Sequence, residues 1–182
     1  MSDKIILGFD ISSTCIGYAI LKIKDDNSIQ FVACDFLKPI KHANILHRLQ
    51  DTKKKIQLII DKYQPTHISI EDIIQFIKGK SSAKTIITLA CFNRMIGTLC
   101  FDYLGHSPTL SNVNSIRASL KIDKSRPNKF DMPKLLEQHL NIKFPFLYKK
   151  NGEIKPESFD MSDAVCVALH TAFILTNKKK IK

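Results

Sequence analysis

The chain has 182 residues and carries 28 Lys and Arg against 17 Asp and Glu, a formal net charge of +11. That length suits one domain with a real core and leaves no room for two large lobes. Hydrophobic residues at 44% and charged residues at 25% are globular values and exclude a disordered chain.

Three strands are expected first. KIILGFD (4–10) is an apolar run ending in a carboxylate, GYAILKIK (17–24) alternates, and IQFVACDFL (29–37) follows the polar turn DDNS. Their connections are too short for crossover helices, so they should form an antiparallel meander. Residues 45–63 carry apolar positions at helical spacing and stop near Pro65. THISIED (66–72) reads as a fourth strand and QFIKGKSS as a loop. A long helix is expected over 81–103, so nearly uncharged that burial on most sides is predicted. SPTLSNV reads as a fifth strand. A basic, irregular stretch with Arg117, Lys121, Lys124, Arg126 and Lys129 comes next, then a helix from Met132 to Leu140 with Pro133 in its first turn. The last helix is expected from Asp160 to about Thr176, and the basic tail 178–182 lies outside the single domain 1–177. Three antiparallel strands followed by strands reached through helices give a mixed five-stranded α/β sheet flanked by helices.

No apolar run approaches about 18 residues, and MSDKIILGFD has no signal-peptide pattern. The expectation is therefore a protein that neither spans a membrane nor is secreted, and that works in the cytoplasm, or in a host's cytoplasm for a viral chain. Cys15, Cys34, Cys91, Cys100 and Cys166 form no CxxC pair, which suits free thiols in a reducing compartment better than zinc. The excess of lysine favours a polyanionic partner, although an AT-rich coding genome accounts for part of it.

Four carboxylates stand where structure alone would favour something else. Asp10 ends an apolar strand, where its plain alternative is a turn cap. Glu71 ends THISIE, with exposure as its alternative, and Asp72 must point to the opposite face because strand side chains alternate. Asp160 and Asp163, at i and i+3, share one face of the last helix. Acidic residues in a first turn also suit the helix dipole, yet AVCVALHTAF follows Asp163 at once, and a buried carboxylate needs a partner or a metal. Gathered together, such groups fit phosphodiester hydrolysis, in which two divalent ions about 3.5–4 Å apart stabilise the attacking and leaving oxygens. Magnesium prefers carboxylate oxygens and water, and a basic surface would hold the phosphate backbone.

KIILGFDISSTCIGYAIL, ISIED and FDMSDAVCVALHTA, in that order and spacing, resemble the RuvC-type Holliday-junction resolvases of the RNase H-like superfamily. The resemblance covers nearly the whole chain. Asp10 matches the first-strand Asp, Glu71 the fourth-strand Glu, and Asp160 and Asp163 the D-x-x-D of the terminal helix. It implies an RNase H-like fold and a homodimeric endonuclease that cuts opposed strands of branched, four-way DNA. It also implies two Mg²⁺ ions per site, replaceable by Mn²⁺: Asp10 would bridge both, Glu71 and Asp163 would hold one, and Asp160 would complete the other. The basic stretch with Arg117, Lys121, Lys124 and Lys129 corresponds to a part of the family that supplies DNA-contacting lysines. Two departures mark a divergent branch, such as a phage or large-virus member. Ser12 replaces a glycine, and the family's aromatic residue after the Glu has no match at Ile74, with Phe76 the candidate substitute.

Phe76, flanked by Lys78 and Lys80, is a candidate for stacking on DNA, with folding onto the core as its alternative. Lys84 is either a DNA contact or a solvated side chain. His170 lies about two turns after Asp163 and reads as a core or helix-surface residue rather than a general base, and His67 and His139 carry less signal. Rival readings are an RNase H-like nuclease for hybrids, flaps or forks, a non-catalytic DNA-binding or packaging protein, and one ATP-binding lobe of the sugar-kinase or chaperone type. The last normally works as one of two lobes.

Overall fold

A computed structural model describes residues 3–72, 82–119 and 131–177. Strand β1 (Lys4–Ile11) is central, pairing antiparallel with β2 (Ile16–Ile23) and parallel with β4 (His67–Glu71). Strand β3 (Ile29–Leu37) lies outside β2 with a bulge opposite Ile20 and Leu21, and the short β5 (Thr109–Ser111) runs parallel to β4. The order is therefore β3-β2-β1-β4-β5, the mixed five-stranded sheet expected from the sequence.

The two-residue period of β1 feeds two separate cores. Leu7 and Phe9 pack with Ile56 and Ile60 of α1 (Ile45–Tyr63) and with Phe92 and Ile96 of α2 (Ala83–Leu104). Ile6 points the other way, into a core with Leu136 of α4 (Met132–Leu140) and with Ala164, Val165 and Ala168 of α5 (Glu157–Leu175). Phe9 is fully buried. Phe9→Ala should therefore cost about 3–5 kcal/mol, read as a lower urea midpoint at unchanged slope.

Helix α5 is long and apolar enough to cross a membrane, but 67% of the relevant window is buried inside the fold. It lies across the sheet so closely that two strand glycines are needed. A methyl at Gly8 would come within 2.7 Å of the Ala164 carbonyl and the Ala168 amide, and one at Gly17 would run into the carbonyl of Asp160. Gly8 and Gly17 thus fix both the direction and the height of α5, whose first turns lie over the C-terminal end of β1.

Three expectations need correction. Helix α2 is not buried on most sides: Phe92, Asn93, Ile96, Leu99 and Cys100 face inward, while Ile87 is 63% and Phe101 48% exposed. Part of the basic stretch is helical, as α3 (Val113–Ser119), because Asn112 caps it by accepting from the Ser115 amide at 2.9 Å. Helix α5 starts at Glu157 rather than at Asp160, immediately after Pro156, whose fixed φ suits helix entry. All five cysteines are free, and three of them are buried.

Candidate active site

The parallel register sets the first two carboxylates side by side. Gly8 is level with Ser69 and Phe9 with Ile70, so the next step places Asp10 alongside Glu71, on neighbouring strands about 4.8 Å apart. Both face α5. Gly8 lies under Ala164 and Ala168, and Ser69 donates to the Val167 carbonyl at 3.5 Å, so the residues two further along each strand return to the same side. One strand pleat pair is slightly longer than one helix turn. Glu71 therefore comes level with Asp163, one turn before Val167, and Asp10, paired with Gly17, comes level with Asp160. All four carboxylates are half-buried.

Asp72 points away. Arg94 of α2 reaches its carboxylate at 3.4 Å on the other face, an exposed pair worth little in stability. The neighbouring Asn93 is buried and donates from Nδ2 to the Glu71 carbonyl at 3.0 Å, which anchors the end of β4.

The turn between β1 and β2 is closed by the residue that departs from the resembled pattern. Ser12 Oγ accepts from the Cys15 amide at 2.9 Å and donates to the Cys15 carbonyl at 2.6 Å. From α1, Arg48 donates to the Ser13 carbonyl, and its guanidinium lies 5.3 Å from the centre of the Phe92 ring. The turn brings the Cys15 thiol against Asp160. Burial first, and that carboxylate second, push the thiol up to about 12, so it stands beside the acid as a protonated donor. On the same edge Lys38 pairs with Glu157, raising the lysine and lowering the glutamate.

Among the described residues no three His, Cys, Asp or Glu side chains are drawn into a tight metal cage. Magnesium does not require one, since it is usually held by one or two carboxylates and completes its octahedron with water and substrate phosphate. The donor set fits such a hard cation: four carboxylates, with no histidine among them.

The model of the family described as crossover junction endodeoxyribonuclease RuvC matches residues 6–101, which hold Asp10, Glu71, most of β1 and all of β2 to β4. A RuvC of Wigglesworthia glossinidia brevipalpis is 30% identical across 97% of this chain and 98% of its own. The chain belongs to the RuvC family. Its RuvC relative from Helicobacter pylori strain G27 is 26% identical over 90% of this chain and 93% of its own. The fold agrees. Thermus thermophilus RuvC, solved with a Holliday junction, superposes with a TM-score of 0.72 at 12% identity, covering 96% of this chain and 97% of that one. The yeast mitochondrial Holliday junction resolvase superposes at 0.66, with 14% identity over 97% of this chain and 82% of its own.

As a RuvC-family endonuclease, the protein has several candidate DNA contacts beyond its four carboxylates. Lys84 is the second residue of α2 and is exposed. Arg117 falls in α3. Phe76, Lys78, Lys80, Lys121, Lys124 and Lys129, like Arg126 and the tail 178–182, lie outside the described residues. His170 is half-buried at 2.9 Å from Ser119 Oγ, and burial lowers its affinity for a proton. His139 meets the edge of Phe173, and His67 contacts Thr66 Oγ1 at 3.0 Å. No sequence pattern signals Cys15, Lys38 or Asn93, because each becomes notable only through partners distant along the chain.

Proposed function

We propose that this chain is a metal-dependent endonuclease that resolves four-way DNA junctions by paired phosphodiester hydrolysis, working as a cytoplasmic homodimer. The carrying observation is the β1–β4 register, which aligns Asp10 with Glu71 beneath Asp160 and Asp163 of α5. In this reading Asp10, Glu71, Asp160 and Asp163 would together hold two Mg²⁺ ions, with Asp10 contributing to both. Bound there, Mg²⁺ or Mn²⁺ would supply Lewis acidity and an activated water for attack on phosphorus. The chain's own part is to fix these carboxylates on a rigid sheet and helix and to bring DNA to them with its +11 charge. Thermus thermophilus RuvC and the Fowlpox virus resolvase, the latter with a TM-score of 0.54 at 17% identity, were each solved with Holliday junction DNA, which supports branched DNA as the substrate.

Cutting two opposed strands together requires two centres, hence two copies of the chain. The outer side of α2, with Ile87 and Phe101 exposed, offers apolar surface for pairing. A gel comparing four-way junction, RNA/DNA hybrid, flap, fork and linear duplex tests the substrate. Cleavage confined to the junction is expected, and equal cutting of duplex would contradict it. Light scattering on active micromolar samples should give a dimer's mass; a monomer's mass would refute the paired arrangement.

A further inference from the structure

We propose that Lys38 is a DNA-contacting residue whose ammonium holds a backbone phosphate of the substrate at the β3 side of the carboxylate centre. The proposal rests on the nuclease reading above and adds a cation which neither the family match nor the sequence pattern assigns.

Leu37 pairs with Ile16, so Lys38, just past the end of β3, comes level with Cys15, the residue whose thiol meets Asp160. From there Lys38 Nζ reaches Glu157 in the first turn of α5, one turn before Asp160. The two partners are unequally exposed: 55% of the lysine side chain is accessible against 16% of the glutamate. Glu157 is thus sunk against the fold, while the ammonium sits on the rim. An ammonium has three N–H donors, and the bond to Glu157 occupies one.

The backbone of Lys38 is also held. Lys55 Nζ donates to its carbonyl at 2.9 Å and pairs with Asp51 at 2.7 Å, and Asp51 in turn accepts from the Ile40 amide at 3.2 Å. Both ends of this flexible side chain are therefore fixed before any ligand arrives, which lowers the ordering cost of a contact.

The physical need for such a cation is plain. A phosphodiester entering a centre of four carboxylates meets like charge on every side. A lysine at the rim offsets that repulsion without occupying the positions from which the carboxylates act. Glu157 orients the ammonium and does not cover it.

The competing account makes Lys38 and Glu157 only a clasp between β3 and α5, and the two accounts differ in what each partner's removal does. Fluorescence anisotropy of a labelled four-way junction, in EDTA and across a salt series, separates them for wild type, Lys38→Gln, Lys38→Arg and Glu157→Gln. Thermal unfolding is followed in parallel. A phosphate contact predicts that Lys38→Gln weakens binding about three- to tenfold and lowers the salt slope by about 1, with Lys38→Arg restoring both. Glu157→Gln, which frees the ammonium, should bind at least as tightly as wild type. If Lys38→Gln leaves affinity and salt slope unchanged, or if Glu157→Gln weakens binding as much as Lys38→Gln, the contact is disproved. Wild-type protein that binds no branched DNA would overturn the functional reading itself, and the role of Lys38 with it.

Discussion

Asp10→Asn should abolish junction cleavage, by about 10³-fold or more, while leaving the fold and junction affinity intact. Asp10 is central: it is the next-to-last residue of β1, lies beside Glu71 by strand register, and is level with Asp160 through the Gly17 pairing. The amide keeps the shape and one acceptor oxygen but loses the charge. The metal contribution at stake is several kcal/mol of transition-state stabilisation, and about 4 kcal/mol corresponds to roughly 10³ in rate. Binding should hold or tighten, because a negative charge is removed from the path of a phosphate. Asp160→Asn should behave in the same way. Single-turnover cleavage, junction anisotropy and thermal unfolding on one preparation check all three parts. Full activity in Asp10→Asn would mean that the carboxylates do not form the centre.

Gly17→Ala should damage stability and activity together. The added methyl would run into the Asp160 carbonyl and come within 3.0 Å of the Met161 amide, and both neighbours are helix backbone with no side-chain freedom to yield. Overpacking of this kind typically costs about 1–3 kcal/mol. In a domain of this size that lowers the melting temperature by roughly 2–4 °C per kcal/mol. The activity loss should exceed what the unfolded fraction explains, because relief of the clash lifts the turn of α5 that carries Asp160 away from Asp10. Calorimetry combined with cleavage well below the melting point separates the two effects. Wild-type stability in Gly17→Ala would show that α5 does not rest on β2 at this point.

Much of this arrangement was legible in the residues. Apolar runs ending in Asp10 and Glu71 marked two strands, and the alternation rule assigned Asp72 to the face where Arg94 meets it. The short connections of the meander and the helical spacing over α1 were local signals, so those elements appear where expected. Lack of charge in α2 was a poor guide to burial. Thr88 and Thr98 bond their own helix carbonyls at Lys84 and Arg94, at 2.8 and 2.9 Å, so an uncharged face meets water without leaving polar groups unpaired. The cap at Asn112 was readable in principle but was masked by the basic residues that begin at Arg117. Convergence was the least legible feature. The height at which α5 crosses the sheet depends on Gly8 and Gly17 meeting helix backbone, and the company of Lys38 and Cys15 depends on β3 ending level with the β1–β2 turn. Such facts belong to tertiary packing, where residues far apart in sequence set each other's position.

The most direct test of the account is a cruciform-bearing supercoiled plasmid incubated with the protein across a Mg²⁺ titration, with the products sorted by gel. Paired incision by two carboxylate centres predicts linear plasmid that appears with Mg²⁺, vanishes in EDTA and is absent with Asp10→Asn. Nicked circles alone, or linear product that persists in EDTA, would contradict it.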